Sequence, residues 1–309
     1  MTQVGYIGSP DREEFRRLAI RLEERRAEIL LLDPSQGPEI EIGPDLERAC
    51  GHDLSKLRGI YVADLGLPSS VVRNADGSLD PQGSAAALAA SRRQLAAWNA
   101  LLEQLKRHTN VINPPSTHDL HALKPWEMQV ARDKQWPAPR TVATTDPAAL
   151  FEATSAVDSS WIQKGMVGGY GYTTVFPAPG DLGAATQLIA EKPIMVQERV
   201  EGDNVRAFVV GSSVVGAARI IPSDGAEVDS RRETGRVSRI KLTEEAERIC
   251  LEAARHWGIL FCGVDFIIDA ASREYKLLEC NSAPFFVSYE RQSGIDVTSA
   301  LADLLLGKR

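Results

Sequence analysis

Near the end of the chain, the segments GVDFIID and YKLLECNSAP carry Asp265, Glu279 and Asn281 on two apolar stretches separated by a short break. Val264, Phe266 and Ile268 alternate with Asp265, Ile267 and Asp269, which is the period of a strand, and residues 270–273 read as a hairpin turn. In such a hairpin Asp265 faces Glu279, and Glu279 shares a face with Asn281 two residues on. Directly opposed Cβ atoms lie ~5 Å apart, so two carboxylates there repel unless something cationic lies between them. Two carboxylates and an amide make an all-oxygen donor set, which suits magnesium, a hard ion that also takes substrate phosphates. A solvated acidic pair on an edge hairpin is the competing reading, disfavoured by the apolar residues that crowd both segments.

Cations precede these acids. In IQKGMVGGYGYTTVF, Lys164 enters a loop punctuated by Gly165, Gly168, Gly169 and Gly171. Glycines let backbone N–H groups approach a phosphate, and an ammonium at the entrance can reach its oxygens. The order is neither that of a Walker A loop nor the Rossmann spacing, and most Gly-rich loops are simply flexible hairpins, so the phosphate reading rests on Lys164 at the entrance. Lys124 is a second candidate, with a surface lysine near a helix start as its alternative. Farther on, IMVQERVEGDNVRAFVVGSSVVGAARII reads as a strand, a polar connection, and a hairpin of residues 205–210 and 214–220 around Gly-Ser-Ser. That turn sets Arg206 opposite Arg219, and an anion such as a triphosphate or a developing acyl phosphate would relieve their repulsion. Alternatively, one arginine pairs with Asp203 or Glu201 and the other is solvated. Residues 197–200, Gln197 to Val200, resemble a hinge offering backbone groups to a purine edge.

The elements that must position these groups follow an α/β pattern. Residues 4–7 read as a strand, 13–26 as an amphipathic helix and 28–32 as a second strand, a βαβ opening. Residues 57–63 form another strand, and 65–83, rich in Gly, Pro, Ser and Asp, a long loop of the kind that often carries function. An Ala- and Leu-rich helix over 84–107 and a strand at 111–113 lead to Pro114 and Pro115, where a domain boundary is placed. A helix is expected over 116–134, then a short strand and a helix cap at Asp146; strands dominate from Ser160 until a helix over 243–257.

With 309 residues, 43% of them hydrophobic and 25% charged, the chain has the composition of a soluble globular protein of two or three lobes. A formal net charge of -7 argues against a nucleic-acid partner. Cys50, Cys250, Cys262 and Cys280 lack zinc-like or CxxC spacing and read as reduced thiols. The first residues lack a basic and apolar leader pattern, and no apolar run approaches ~18 residues, so a cytoplasmic protein with no membrane partner is expected. The five histidines show no spacing of a Ser/His/Asp or Cys/His set.

The succession of Lys124, Lys164 with its Gly-rich loop, QERVEG, VRAFVVG, GVDFIID and LLECN resembles the ATP-grasp superfamily, especially its ribosomal-protein glutamate ligase and peptide ligase branch. The likeness is strong over residues 114–306 and less specific before them. It implies an α/β fold with a pre-ATP-grasp domain over 1–113, an ATP-grasp small lobe over 114–190 and a C-terminal lobe over 191–309 bearing the metal site. It further implies ATP held with Lys124 and Lys164 on phosphates, Glu198 and Val200 at the adenine, and Glu201 and Asp203 toward the ribose or hinge. Arg206 and Arg219 would contact the γ-phosphate and the intermediate. Asp265, Glu279 and Asn281 would hold one or two Mg2+ ions, for which Mn2+ can substitute. The implied activity is ADP-forming ligation of a carboxylate to an amine through an acyl phosphate, with a peptide or protein as one substrate and a homo-oligomer as a common state. A small-molecule ligase of the glutathione synthetase or amino-acid ligase kind, and a nucleotide-binding regulatory protein without turnover, are the alternatives. Relatives follow the asparagine with a small residue, Pro and Gly, whereas SerAlaProPhePhe at 282–286 ends in two aromatics, which sets the acceptor side apart. Arg231, Arg232 and Arg236 read equally as contacts to a carboxylate-bearing substrate and as a surface loop.

Overall fold

The computed structural model describes residues 2–36, 39–67, 69, 71–155, 160–167, 173–176, 179–189, 193–221 and 236–308. The chain divides into two compact units, one of residues 1–117, 259–261 and 296–309, the other of 118–258 and 262–295.

The first unit opens as expected, with β1 (Thr2–Ile7), α1 (Glu13–Glu24) and β2 (Ala27–Leu32). Three short antiparallel strands follow, β3 (Ile40–Gly43), β4 (Leu46–Ala49) and β5 (His52–Asp53), which the polar composition of the region concealed. With β6 (Gly59–Val62), α2 (Pro81–Leu105) and β7 (Asn110–Ile112), the main sheet runs in the order β2-β1-β6-β7, all parallel. β6 is buried end to end, as the central strand of a parallel sheet covered on both faces should be. Ile7, Leu32, Ile60, Trp98, Leu101 and Leu102 form its core. The helix expected from residue 84 begins at Pro81, because Asp80 accepts a bond from the Gly83 amide at 3.0 Å and proline suits the first helical turn.

The second unit begins with a correction. In place of one helix over 116–134, a 3-10 stretch, Pro115–Ala122, gives way to α3 (Lys124–Asp133). Pro125 lacks an N–H and its ring would meet the carbonyl four residues back, so the helix has to restart with the proline in its first turn. Lys124 therefore stands at the first position of α3.

β8 (Thr141–Thr144), α4 (Pro147–Ser155), β9 (Trp161–Lys164), β10 (Thr174–Val175), α5 (Leu182–Ile189) and β11 (Ile194–Glu198) build an antiparallel sheet of order β10-β9-β11-β8. Leu150, Trp161, Phe176, Ala185 and Val196 pack together as its core. Asp146 caps α4 as expected, accepting from Ala148 at 2.9 Å. α5 interrupts a stretch expected to be strands; Asp181, accepting from Ala184 at 3.0 Å, is the cap that marks its start.

The last sheet comprises β12 (Gly202–Val210), β13 (Ser213–Ile221), β14 (Arg236–Ile240), β15 (Phe261–Asp269) and β16 (Tyr275–Asn281), in the order β14-β13-β12-β15-β16. α6 (Glu244–Trp257) has its start fixed by Thr243, which accepts from Ala246 at 3.2 Å, and its end by Gly258 at φ 65. α7 (Val287–Ser293) follows β16, and α8 (Val297–Leu305) returns to the first unit, where Arg25 donates to Asp303 at 2.8 Å. Among the described residues no helix is long and apolar enough to cross a membrane. The four cysteines are free, and three of them are buried.

Candidate active site

β15 and β16 pair antiparallel with Asp265 opposite Glu279, as expected, and Gly263 opposite Asn281, a pairing reached through a register shift between Asp265 and Phe266. Val264, Phe266 and Ile268 are buried beneath, which fixes the acids on the other face. The positive charge expected between them comes from the chain's own side chains. Arg206, on the neighbouring strand β12, donates Nε and Nη2 to the two oxygens of Asp265, each at 2.6 Å. Lys124 Nζ lies 2.6 Å from Glu279 Oε2. Lys164, at the end of β9, donates to Gln197 Oε1 at 3.3 Å, and Gln197 in turn donates to Thr141 Oγ1 at 2.9 Å.

Burial and these contacts set the protonation states. Burial disfavours the charge on Glu279, but Lys124 and Lys164 outweigh it and hold the carboxyl down to about 2. Burial lowers Lys164, with Glu279 opposing. Burial likewise disfavours the Arg206 guanidinium, yet Asp265 more than offsets this, so Arg206 is held firmly protonated. Three basic groups thus converge on two carboxylates.

Four further groups were given no role at the site from the sequence. Glu127 of α3 is 2% exposed and accepts a short bond from the backbone N–H of Cys280, between Glu279 and Asn281. Burial, then the charge of Glu279, pushes its carboxyl up to about 8. Tyr289 of α7 lies under Arg206, its ring centroid 5.5 Å from the guanidinium carbon. His121 is kept from protonation by burial, against the pull of Glu279. Gly263 leaves room for Arg206: a Cβ there would stand 3.4 Å from Arg206 Cδ and 2.9 Å from Pro284 Cβ.

The expected opposition of Arg206 and Arg219 is overturned. The loop is Gly211–Ser212 and the register shifts by one between Phe208 and Val209, which together give the register of a three-residue loop: Arg206 pairs with Ala218 and Arg219 with Val205. Neighbouring strand residues point to opposite faces, which puts Arg219 on the face away from Arg206. There its Nη1 donates to Asp203 at 3.2 Å. Glu201 is exposed and pairs with Arg199 at 2.9 Å. Glu198 ends β11 and Val200 lies just beyond it, both half-buried, with the Glu198 N–H donating to Arg140 O at 2.8 Å. Gly168, Gly169, Arg231 and Arg232 lie outside the described residues, and Arg236 begins β14, exposed.

The donor set fits magnesium. Among the described residues no group of three or more His, Cys, Asp and Glu side chains is arranged to hold a metal alone. Two carboxylates and the Asn281 amide, whose Oδ1 also accepts from Ala283 at 2.9 Å, are the hard oxygen donors that magnesium takes, and they would leave it positions for water and substrate phosphate. The Glu279 and Asp265 side chains keep 25% and 17% of their surface exposed, so the set is open on one side.

Residues 134–305 match the family model of the RimK-like ATP-grasp domain. The chain belongs to that family. It is an ATP-dependent ligase, as the ATP-grasp pattern of its motifs implied. The Methanocaldococcus jannaschii protein named tetrahydromethanopterin:alpha-L-glutamate ligase is 27% identical over 220 residues, which cover 67% of this chain and 73% of that one. A Vibrio cholerae protein named probable alpha-L-glutamate ligase is 30% identical over 115 residues, 36% of this chain and 38% of its own length. The ATP-grasp ligase PsnB, solved with a phosphomimetic variant of a minimal precursor, Mg and ADP, superposes with a TM-score of 0.83 at 26% identity over 99% of this chain and 98% of that one. The same ligase solved with precursor peptide PsnA2 and AMPPNP gives 0.79 at 25% identity, covering 99% and 97%.

Proposed function

We propose that this ATP-grasp ligase activates a carboxylate of a peptide or protein as an acyl phosphate and joins it to an amine, giving an amide, or an ester where the nucleophile is a hydroxyl. The observation that carries the reading is the cradle itself: Lys124, Lys164 and Arg206 converge on Asp265 and Glu279 within a largely buried site. Such a set is poorly suited to a neutral ligand and well suited to a polyphosphate, which takes up the cations as the carboxylates are freed.

In the first step a substrate carboxylate oxygen attacks the γ-phosphorus of ATP, and the bond to the β–γ bridging oxygen breaks to release ADP. In the second the nucleophile's lone pair adds to the acyl carbon, the bond to the phosphate oxygen breaks, and nitrogen gives up a proton as inorganic phosphate leaves. Phosphoryl transfer of this kind depends on positioning and charge neutralisation more than on a side-chain nucleophile. Lys124 and Lys164 would hold phosphate oxygens in line, and Arg206, with its planar fork, would follow the transferred group. Asp265, Glu279 and Asn281 would hold one or two magnesium ions, with manganese able to replace them, and that metal supplies Lewis-acid neutralisation of the phosphates. Glu198 and Val200 would border the adenine, and Glu201 and Asp203 the ribose or hinge. Arg219, on the far face of β12 and β13 and paired with Asp203, takes no part in these phosphate contacts.

Relatives solved with precursor peptides favour a peptide substrate. A small acceptor is the second reading, favoured by the name of the Methanocaldococcus jannaschii relative. Four free cysteines suit a reducing cytoplasm. The test is incubation with magnesium, ATP, pooled amino acids and carboxylate peptides, followed by ADP measurement and product mass. The expected product is lighter by one water than its two substrates, and Glu279→Gln should form neither product nor ADP while staying folded. Absence of ADP from the wild-type protein with every acceptor would refute the proposal.

A further inference from the structure

The loop that leaves β16 after Asn281 carries a side chain that neither the fold nor the phosphate chemistry uses. Ser282 is 3% exposed, Pro284 is buried, and Phe286 is 1% exposed, but Phe285 between them is 69% exposed, more than any other large apolar side chain among the described residues. The loop is not slack. Ala283 donates to Asn281 Oδ1 at 2.9 Å, Pro284 packs over the bare Cα of Gly263 beside Arg206, and the Phe286 carbonyl accepts from Glu290 at 2.9 Å in the first turn of α7. Both neighbours of Phe285 are therefore anchored, and its ring is presented to solvent from a fixed backbone at the edge of the Asp265–Arg206 pair. A ring held this way loses little further freedom when it is covered, which is how an aromatic contact gains affinity at small entropic cost.

We propose that Phe285 determines specificity by packing against an apolar side chain that neighbours the acceptor carboxylate in a peptide substrate, an assignment that rests on the peptide reading above. Reach supports it. Phe285 is four residues beyond Asn281, so it stands at most ~14 Å from that residue along the chain, and an extended peptide advances ~3.3 Å per residue. A side chain within about four positions of the reacting carboxylate can cover the ring. A peptide offers side chains at every position over that range, whereas a free amino acid offers one. The polar cradle fixes the phosphates and the carboxylate, so the ring offers a contact that reads the substrate beyond its reacting group.

The test uses a randomised peptide library with one fixed acidic residue, magnesium, ATP and pooled amino acids, with the modified fraction sequenced by mass spectrometry. Wild-type protein should enrich apolar residues within four positions of the modified carboxylate by about tenfold, the factor that ~1.4 kcal/mol represents. Phe285→Ser should lose the enrichment, and Phe285→Leu should keep part of it, while both variants bind AMPPNP and melt as the wild type does. Modification by the wild type without apolar enrichment, or with the same enrichment in Phe285→Ser, overturns the role of Phe285 and leaves the peptide ligase reading standing. No modified peptide from any of the proteins, although each binds AMPPNP, overturns that reading and this one with it.

Discussion

Replacing Glu127 by glutamine should stabilise the protein at neutral and alkaline pH. Glu127 is 2% exposed, and its ordinary carboxyl value of 4.5 is pushed up to about 8, first by burial and then by the charge of Glu279. A group raised on folding contributes its full stability below its unfolded value and loses it as pH rises toward the folded value. The unfolded chain therefore gives up this proton near 4.5 while the folded protein keeps it to about 8, and stability declines across that window. At ~1.36 kcal/mol per pH unit, the decline from 4.5 to about 8 comes to about 5 kcal/mol, and about 3 kcal/mol of it is reached by neutral pH. Glutamine keeps an oxygen to accept the Cys280 N–H and does not titrate. Glu127→Gln should thus match the wild type near pH 4.5, exceed it by about 3 kcal/mol at pH 7, and exceed it by about 5 kcal/mol above pH 8. Urea unfolding at these three pH values, followed by tryptophan fluorescence, measures the differences. A gap that is constant with pH, or a variant less stable than the wild type in alkali, would show that Glu127 is not a buried protonated acid.

Glu279 should behave in the opposite sense: held down to about 2 from 4.5, it stabilises above pH 4.5 and loses that contribution as pH falls toward 2. Glu279→Gln should therefore be less stable than the wild type by about 3 kcal/mol at pH 7, with the two converging near pH 2 in acid unfolding curves. Gly263→Ala puts a methyl group 2.9 Å from Pro284 Cβ and 3.4 Å from Arg206 Cδ, and should lower stability by ~1–3 kcal/mol and slow ADP formation together, read by calorimetry and a coupled ADP assay. Tyr289→Phe keeps the ring beneath Arg206 and should leave the ATP KM unchanged; Tyr289→Leu removes it and should raise that KM several-fold, consistent with ~0.5–2 kcal/mol for the contact.

How far the site was legible depends on which forces set each contact. The acid hairpin could be read only in part: its apolar alternation puts Asp265 on the face away from Val264 and Ile268, but the shift between Asp265 and Phe266 that brings Asp265 opposite Glu279 left no mark in the sequence. The arginine pair could not, because the irregularity between Phe208 and Val209 leaves no mark on the alternation of β12, yet moves Arg219 to the other face. The break in the helix before α3 was visible in principle: Pro125 rules out a helix running through it, and the run of charged and polar residues around it hid the boundary. Glu127 was out of reach, since a glutamate in the first turn of a helix looks like a favourable surface charge, and only the packing of α3 on β16 buries it. The one sign was the apolar pair Val130 and Ala131, three and four residues on and on the same helix face. The phosphate-binding part of the expectation that rests on Gly168 and Gly169 falls outside the described residues.

The same contacts that assemble this unit explain why it tolerates so many buried charges. An isolated ion is expensive to remove from water, and a buried pair stays stable only while both partners are kept. Arg206 ties β12 to Asp265 on β15, and Lys124 ties α3 to Glu279 on β16, so each cation holds a separate element against the acid hairpin. Lys164 differs: among the described residues it has no ion pair, and burial weakens its hold on a proton. In the proposed reaction the phosphates take Arg206, Lys124 and Lys164, and magnesium takes the carboxylates those cations release. Each charge then changes partner and none is left bare, while the Lys164 ammonium gains the anion that its burial lacks. A nucleotide without metal would strip the cations from Asp265 and Glu279 and leave two opposed carboxylates, and metal without nucleotide would do the reverse to the cations. The arrangement therefore favours the arrival of both together, a coupling set by the pairing of β15 with β16 and by the position of Lys124 at the start of α3.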